Sequence, residues 1–199
     1  MQKKDTVVFD LDGTLLDTLE DLKNSVNYAL EQFGYPTHTL EDVRRFVGNG
    51  ITRLMELALP SGQDNPDFDA VLECFKKHYG IHCNDLTKPY DGIMELLHEL
   101  KERGIKMAIV SNKADFAVKE LNDIYFQEVI PLAVGERESE GIRRKPAPDT
   151  VLEALRQLGS TIEQAVYVGD SEVDAQTAKN AGLGCVLVTW GFRTRQEMA

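Results

Sequence analysis

Cysteine is scarce in this sequence: three residues among 199, Cys74, Cys83 and Cys185. The count is odd and no Cys-x-x-Cys pair occurs, so reduced thiols fit better than a disulfide framework or a cysteine-built zinc site. Basic residues are in the minority too, 22 against 33 acidic for a net charge of −11. That balance disfavours a broad electrostatic grip on nucleic acid, and an anionic substrate would have to meet positive charge concentrated locally. No apolar run approaches the roughly 20 residues of a membrane span, so no membrane partner is expected. Met1-Gln2-Lys3-Lys4-Asp5 leads straight into the first apolar stretch, without the longer apolar segment and small-residue cleavage site of a secretory signal, and the expected location is cytoplasmic. Internal repeats and low-complexity tracts are absent as well.

What is present begins with ordinary globular composition, 42% hydrophobic and 28% charged, on a chain long enough for one core domain with a modest insertion. The first informative stretch is Val7-Val8-Phe9-Asp10-Leu11-Asp12-Gly13-Thr14. Its β-branched and aromatic start suits a buried strand. Residues two apart on an extended chain project to one side, so Asp10 and Asp12 would both aim into the crevice where open α/β sheets bind ligands. Two ionised carboxylates that close repel by about 4 kcal/mol at about 4 Å in an effective dielectric near 20. A cation or a proton must relieve them. That requirement gives Asp10 a divalent metal and the part of nucleophile, and Asp12 a proton for part of the cycle as acid/base. Gly13 permits a sharp turn and a close backbone approach. The plainer alternative is a strand closed by an Asp-Gly turn with solvated carboxylates.

The periodicity then switches to helical, with Leu19, Leu22, Val26, Ala29, Leu30 and Phe33 on one stripe ended by Gly34 and Pro36. Thr39 reads as an N-cap with Asp42 in the capping-box position. Gly48-Asn49-Gly50 breaks that helix, Ile51–Leu59 restarts one, and Phe68, Val71, Leu72 and Phe75 open another stripe. From Ile105 onward the pattern alternates: strands at Ile105–Val110, Val129–Val134, Ala165–Val168 and Cys185–Val188, separated by helices of 8 to 12 residues. Such alternation implies right-handed crossovers and a parallel sheet. The expected fold is therefore α/β, a Rossmann-like parallel sheet core from residues 1–16 and 88–199. An all-helical cap domain, 17–87, is inserted into it, with hinges near Leu15–Thr18 and Leu86–Gly92.

Polar residues stand at two further strand ends and in one loop. Ser111-Asn112 would offer a hydroxyl and backbone N–H groups to phosphate oxygens near a helix start, or else serve as an N-cap. Lys145 precedes two prolines in Lys145-Pro146-Ala147-Pro148-Asp149, in a charged loop where a lysine is ordinarily solvated. Gly169-Asp170-Ser171-Glu172-Val173-Asp174 clusters acids after a strand, as a plain helix N-terminus also does.

Taken together in this order, the four motifs resemble the haloacid dehalogenase superfamily of phosphohydrolases over nearly the whole chain. Thr14, Asn112, Lys113 and the Lys-Pro-Ala-Pro-Asp run are most similar to its phosphoglycolate phosphatase branch. The resemblance implies that Asp10 forms an aspartyl-phosphate and that Asp12 is general acid/base. It implies that Ser111 and Lys145 hold the transferring phosphoryl group, and that Gly13, Thr14 and Asn112 line the substrate. Mg²⁺ would be held by Asp10, the backbone carbonyl of Asp12 and Asp170, with Asp174 a ligand or an orienter. Oxygen ligands suit Mg²⁺, which with Lys145 would neutralise a nucleophile and a phosphate that otherwise repel.

Arg53, after the Gly48-Asn49-Gly50 break, is the candidate for a second anion contact, with a surface helix position as the alternative. Asn49 stands where similar sugar phosphomutases carry lysine, which counts against mutase chemistry. The expected partner is a small phosphomonoester, phosphoglycolate first. Pyrophosphate, a sugar phosphate, or a non-catalytic phospholigand-binding regulatory domain are the other readings.

Overall fold

The computed structural model describes residues 4–198. In chain order its strands are β1 (Thr6–Phe9), β2 (Leu16–Asp17), β3 (Lys88–Pro89), β4 (Lys106–Ala114), β5 (Leu132–Glu136), β6 (Ala165–Gly169) and β7 (Gly184–Leu187). Its α-helices are α1 (Leu19–Gln32), α2 (Leu40–Phe46), α3 (Gly50–Ala58), α4 (Phe68–His82), α5 (Ile93–Glu102), α6 (Asp115–Tyr125), α7 (Asp149–Gln157) and α8 (Glu172–Ala181). The chain forms two compact units, one running to Leu16 and resuming at Pro89, the other Asp17–Lys88. The crossings fall in the short strands β2 and β3.

The first unit is a five-stranded parallel sheet in the order β5-β4-β1-β6-β7. Alternate residues of its central strands go to opposite faces, as the pleat requires. Phe9, Met107 and Ile109 join Leu97, Val118, Leu121 and Phe126 on one side. Val8, Ala108, Val110 and Tyr167 join Val151, Leu155 and Ala178 on the other. Both faces are covered, which is why these strands read as unbroken apolar runs. The chain builds outward from β1 to β4 and β5, then returns past β1 to add β6 and β7. The reversal makes the carboxyl end of β1 the topological switch point, where a crevice opens.

Two strands, β4 and β5, differ from the sequence expectation by more than one residue. β4 does not stop at Ser111-Asn112 but continues to Ala114, with a register shift after Val110 before Ala114 pairs with Glu136. The Asp115 carboxylate accepts the Gly135 N–H at 2.9 Å, holding the irregular end of β4 against β5. Ser111 therefore lies four residues ahead of α6 and caps no helix. β5 begins at Leu132, later than Val129, because the N–H groups of Val129 and Ile130 both return to the Phe126 carbonyl in a turn.

The second unit is helical. Leu19, Leu22, Val26, Ala29 and Leu30 of α1 are buried, as are Phe68, Val71, Leu72 and Phe75 of α4. Phe33 leaves the expected stripe: it sits at the C-cap of α1 and is partly exposed. The Thr39–Asp42 capping box is formed in both directions. A feature without a sequence signature ties the unit's ends together. Asp21, 2% exposed, accepts from Leu86 N–H at 3.1 Å and from the Thr87 N–H and hydroxyl, each at 2.8 Å. Replacing a buried carboxylate that satisfies three donors leaves all three without it. Asp21→Ala is expected to destabilise the chain by about 2–4 kcal/mol, with Asp21→Asn in between, measured by urea denaturation.

Candidate active site

The loop after β1 winds tightly: Thr14, Leu15 and Leu16 all donate their N–H to the Leu11 carbonyl, and Gly13 N–H returns to Leu16. Gly13 adopts φ +83°, and a Cβ there would lie 2.3 Å from Asp170 Oδ2. Only glycine lets the first motif and the fourth approach this closely. Thr14 is buried, its carbonyl accepting from Trp190 Nε1 at 3.1 Å while its hydroxyl has no partner among the described residues.

Lys145 is the cation of the site. Its ammonium, on a residue 4% exposed, lies 2.7 Å from Asp10 Oδ1 and 2.8 Å from Asp174 Oδ1, with the Tyr167 hydroxyl at 3.2 Å. Asn112 fixes the lysine's backbone from both sides: its carbonyl oxygen accepts Lys145 N–H at 2.8 Å and its amide donates to the Lys145 carbonyl at 3.1 Å. Through these two bonds the Asn112 side chain anchors the lysine loop. Asn180 steadies the same loop through the Pro146 carbonyl.

A second buried lysine serves the second aspartate. Lys113 Nζ is 2.8 Å from Asp12 Oδ1, and Ser111 Oγ accepts Lys113 N–H at 3.1 Å while standing 3.4 Å from Asp12 Oδ2. Ser111 and Lys113 are two apart and turn to Asp12, whereas Asn112 between them turns to Lys145, the alternation of an extended chain. Lys113 was visible in sequence only as part of a motif. A lysine two residues beyond a serine, straight after a buried strand, is the signal that points to the same side.

Carboxylate oxygens of Asp10, Asp170 and Asp174, all buried, lie within 4.8 Å of one another. Among the described residues this is the one group of three or more metal-ligating side chains so placed, and the Asp12 carboxylate stands outside it. Asp174 is heavily engaged. Its Oδ1 accepts from Lys145 and Tyr167, and its Oδ2 from the N–H of Asp170 and of Ser171 and from the Ser171 hydroxyl. Of the two parts expected for Asp174, these bonds favour orienter over direct ligand. A reciprocal Ser171–Asp174 capping box starts α8 at Glu172.

Burial would raise the Asp174 carboxyl, but Lys145 and the hydroxyl donors prevail and hold it below the ordinary range. Asp10 is pushed well above that range, first by burial and then by Asp174 and Asp170, against the pull of Lys145. Burial raises Asp170 to about 6, with Asp174 adding to it. Burial works to strip Lys145 of its proton, yet Asp10 and Asp174 overcome it and hold the ammonium charged. Lys145 pairs with Asp10 and Asp174 and not with Asp170, so negative charge is in excess once the three carboxylates are ionised. An all-oxygen donor set with that excess fits a hard divalent cation.

A family model of haloacid dehalogenase-like hydrolases matches residues 7–188. The chain belongs to that family. It is 36% identical over 196 residues to a phosphoglycolate phosphatase of Pseudomonas putida, spanning 94% of this chain and 70% of that protein. It is 34% identical over 191 residues to one of Aquifex aeolicus, spanning 94% and 85%. A crystal structure from Lactobacillus delbrueckii subsp. bulgaricus, of a protein predicted to be a phosphoglycolate phosphatase, superposes with a TM-score of 0.92. It shares 37% identity and is covered over 98% of this chain and 90% of that one. The protein is thus a phosphoric monoester hydrolase acting on a small phosphorylated substrate. Arg53, on α3 of the helical unit, lies 2.7 Å from Glu56 one turn along the same helix.

The Asp170 shift has a testable sign. A carboxyl whose pKa is about 6 folded and about 3.9 unfolded contributes stability below about pH 4 that is lost as the pH rises through about 6. A divalent cation favours the ionised carboxylate and restores what was lost. Added Mg²⁺ is expected to raise the melting temperature by several degrees at about pH 7.5 and far less at about pH 5. Equal shifts at both values in differential scanning calorimetry would separate the cation from these carboxylates.

Proposed function

We propose that the protein hydrolyses a small anionic phosphomonoester, phosphoglycolate being the first candidate, through an aspartyl-phosphate on Asp10. The observation that carries this reading is the single buried ammonium shared by Asp10 and Asp174 beside Asp170. Phosphoryl transfer requires mainly positioning and charge stabilisation, and this arrangement provides both. An Asp10 oxygen attacks phosphorus in line while the bond to the leaving oxygen breaks. Asp12 gives its proton to that oxygen, releasing the alcohol. Asp12 then takes a proton from water as the water oxygen attacks the same phosphorus, freeing inorganic phosphate and restoring Asp10. Lys145 and Ser111 bind the non-bridging oxygens throughout. Lys113 holds the Asp12 carboxylate in place when it is ionised.

Asp10, Asp170 and the Asp12 backbone carbonyl would hold Mg²⁺, which supplies the positive charge that lets an anionic nucleophile meet an anionic ester. The names of the curated relatives support phosphoglycolate over pyrophosphate or a sugar phosphate. The helical unit is the cap domain of this reading, and Arg53 the residue that favours an acidic ester.

Two measurements test the reading. Asp10→Asn is expected to lower kcat by at least about 10³-fold with the fold retained, since it removes the nucleophile; a residual rate within tenfold of wild type contradicts the covalent route. In a panel of phosphomonoesters and pyrophosphate assayed for kcat/KM, phosphoglycolate should lead. Arg53→Ala should raise KM for phosphoglycolate about tenfold and leave a neutral aryl phosphate nearly unchanged. Equal effects on both would remove Arg53 from specificity.

A further inference from the structure

Lys145 carries three N–H donors, and three acceptors surround it: Asp10 Oδ1 at 2.7 Å, Asp174 Oδ1 at 2.8 Å and Tyr167 Oη at 3.2 Å. The reaction accounts for the first and the family motif for the second. Tyr167 belongs to neither. It is the middle residue of β6, completely buried, its ring packed among Val8, Ala108, Val151 and Ala178 on the face of the sheet under α7 and α8. A tyrosine in a core this apolar brings a hydroxyl that must find partners. Here it finds both members of the neighbouring ion pair.

The direction of the bonds matters. The phenol oxygen is 3.0 Å from Asp174 Oδ1, and an ionised carboxylate only accepts, so the Tyr167 proton goes to Asp174. An ammonium only donates, so what the same oxygen turns to Lys145 is a lone pair. Lys145, Tyr167 and Asp174 thus close a triangle of bonds, each with one possible sense. Two corners of that triangle are fixed by β6 and α8. They settle the rotation of the ammonium about its carbon–nitrogen bond, and the third N–H is left with one direction, toward Asp10.

We propose that Tyr167 is a positioning residue for phosphoryl transfer, aiming the third N–H of Lys145 at the reacting edge of Asp10. With substrate bound, that donor passes from Asp10 to a phosphoryl oxygen while the other two stay on Tyr167 and Asp174. Without the phenol, one donor of a buried ammonium has no fixed acceptor. The group rotates, and its bond to the phosphoryl oxygen is made only part of the time. The inference rests on the role proposed above for Lys145.

Tyr167→Phe preserves the ring and its packing and removes the one oxygen. The expected result is a fall in kcat of about 10- to 100-fold, the scale of a misaimed catalytic group, with KM changed less than about twofold. Orthovanadate, which takes on the geometry of the transferring phosphoryl group, reports the same loss without turnover. Its inhibition constant should rise roughly in step with the fall in kcat, because both depend on the aim of Lys145. Circular dichroism and the melting temperature check that the variant is folded. A variant that is folded with unchanged kcat and unchanged vanadate affinity overturns the inference, as does lost activity accounted for by an unfolded fraction. Lys145→Met in parallel separates the two levels. If it too keeps kcat, the role of Lys145 fails. If it loses activity while Tyr167→Phe does not, only Tyr167 is dismissed.

Discussion

One ammonium group, the Nζ of Lys145, stands between the carboxylates of Asp10 and Asp174 with almost no access to water. Removing an ion from water costs several kcal/mol even after the protein relaxes, and only close partners of opposite charge offset it. The pair cannot be reduced from either side without leaving a buried charge alone. Asp174 is held by Ser171, Tyr167 and two backbone N–H groups, and Lys145 by Asn112 across its backbone. These contacts draw the ends of β1, β4 and β6 and the start of α8 to one point. The architecture of the sheet edge follows from keeping that charge satisfied.

The same arrangement leaves the site short of positive charge. On a chain of net charge −11, two buried lysines are brought to the crevice, one for Asp10 and Asp174 and one for Asp12. Among the described residues no lysine pairs with Asp170. One of its oxygens accepts the Phe192 N–H at 2.6 Å, and its carboxyl is raised to about 6. A group in that condition gains most from a divalent ion. The other ion pairs of the chain, by contrast, are mostly exposed and contribute little to stability. The site is also crowded: a Cβ at Gly13 would run into Asp170, and one at Gly191 into the Gly13 carbonyl and Asp170.

Much of this was legible in the residues themselves. The apolar runs of β1, β4 and β6 gave a parallel sheet because a strand buried on both faces has no polar alternation to lose. Asp10, Lys145, Asp170 and Asp174 were each unremarkable alone, as turn, loop or helix-start residues; their order after successive strands is what singled them out. The parts that escaped are those whose meaning depends on a partner far along the chain. Tyr167 reads as an ordinary core aromatic until Lys145 and Asp174 are placed beside its hydroxyl. Asn112 and Asp21 are likewise defined by residues 33 and 66 positions away.

Local chemistry therefore determined the secondary structure, the α/β class, the helical insertion and the set of acids and bases available at the crevice, because periodicity, caps and turn residues act over a few positions. Tertiary structure alone decided which of those groups touch. It put Asp12 with Lys113, and Asp10 with Lys145 and Asp174. It also committed the Asn112 side chain to the lysine loop and extended β4 past Ser111. Register and crossover geometry set such pairings, and neither is written in any short stretch of the chain.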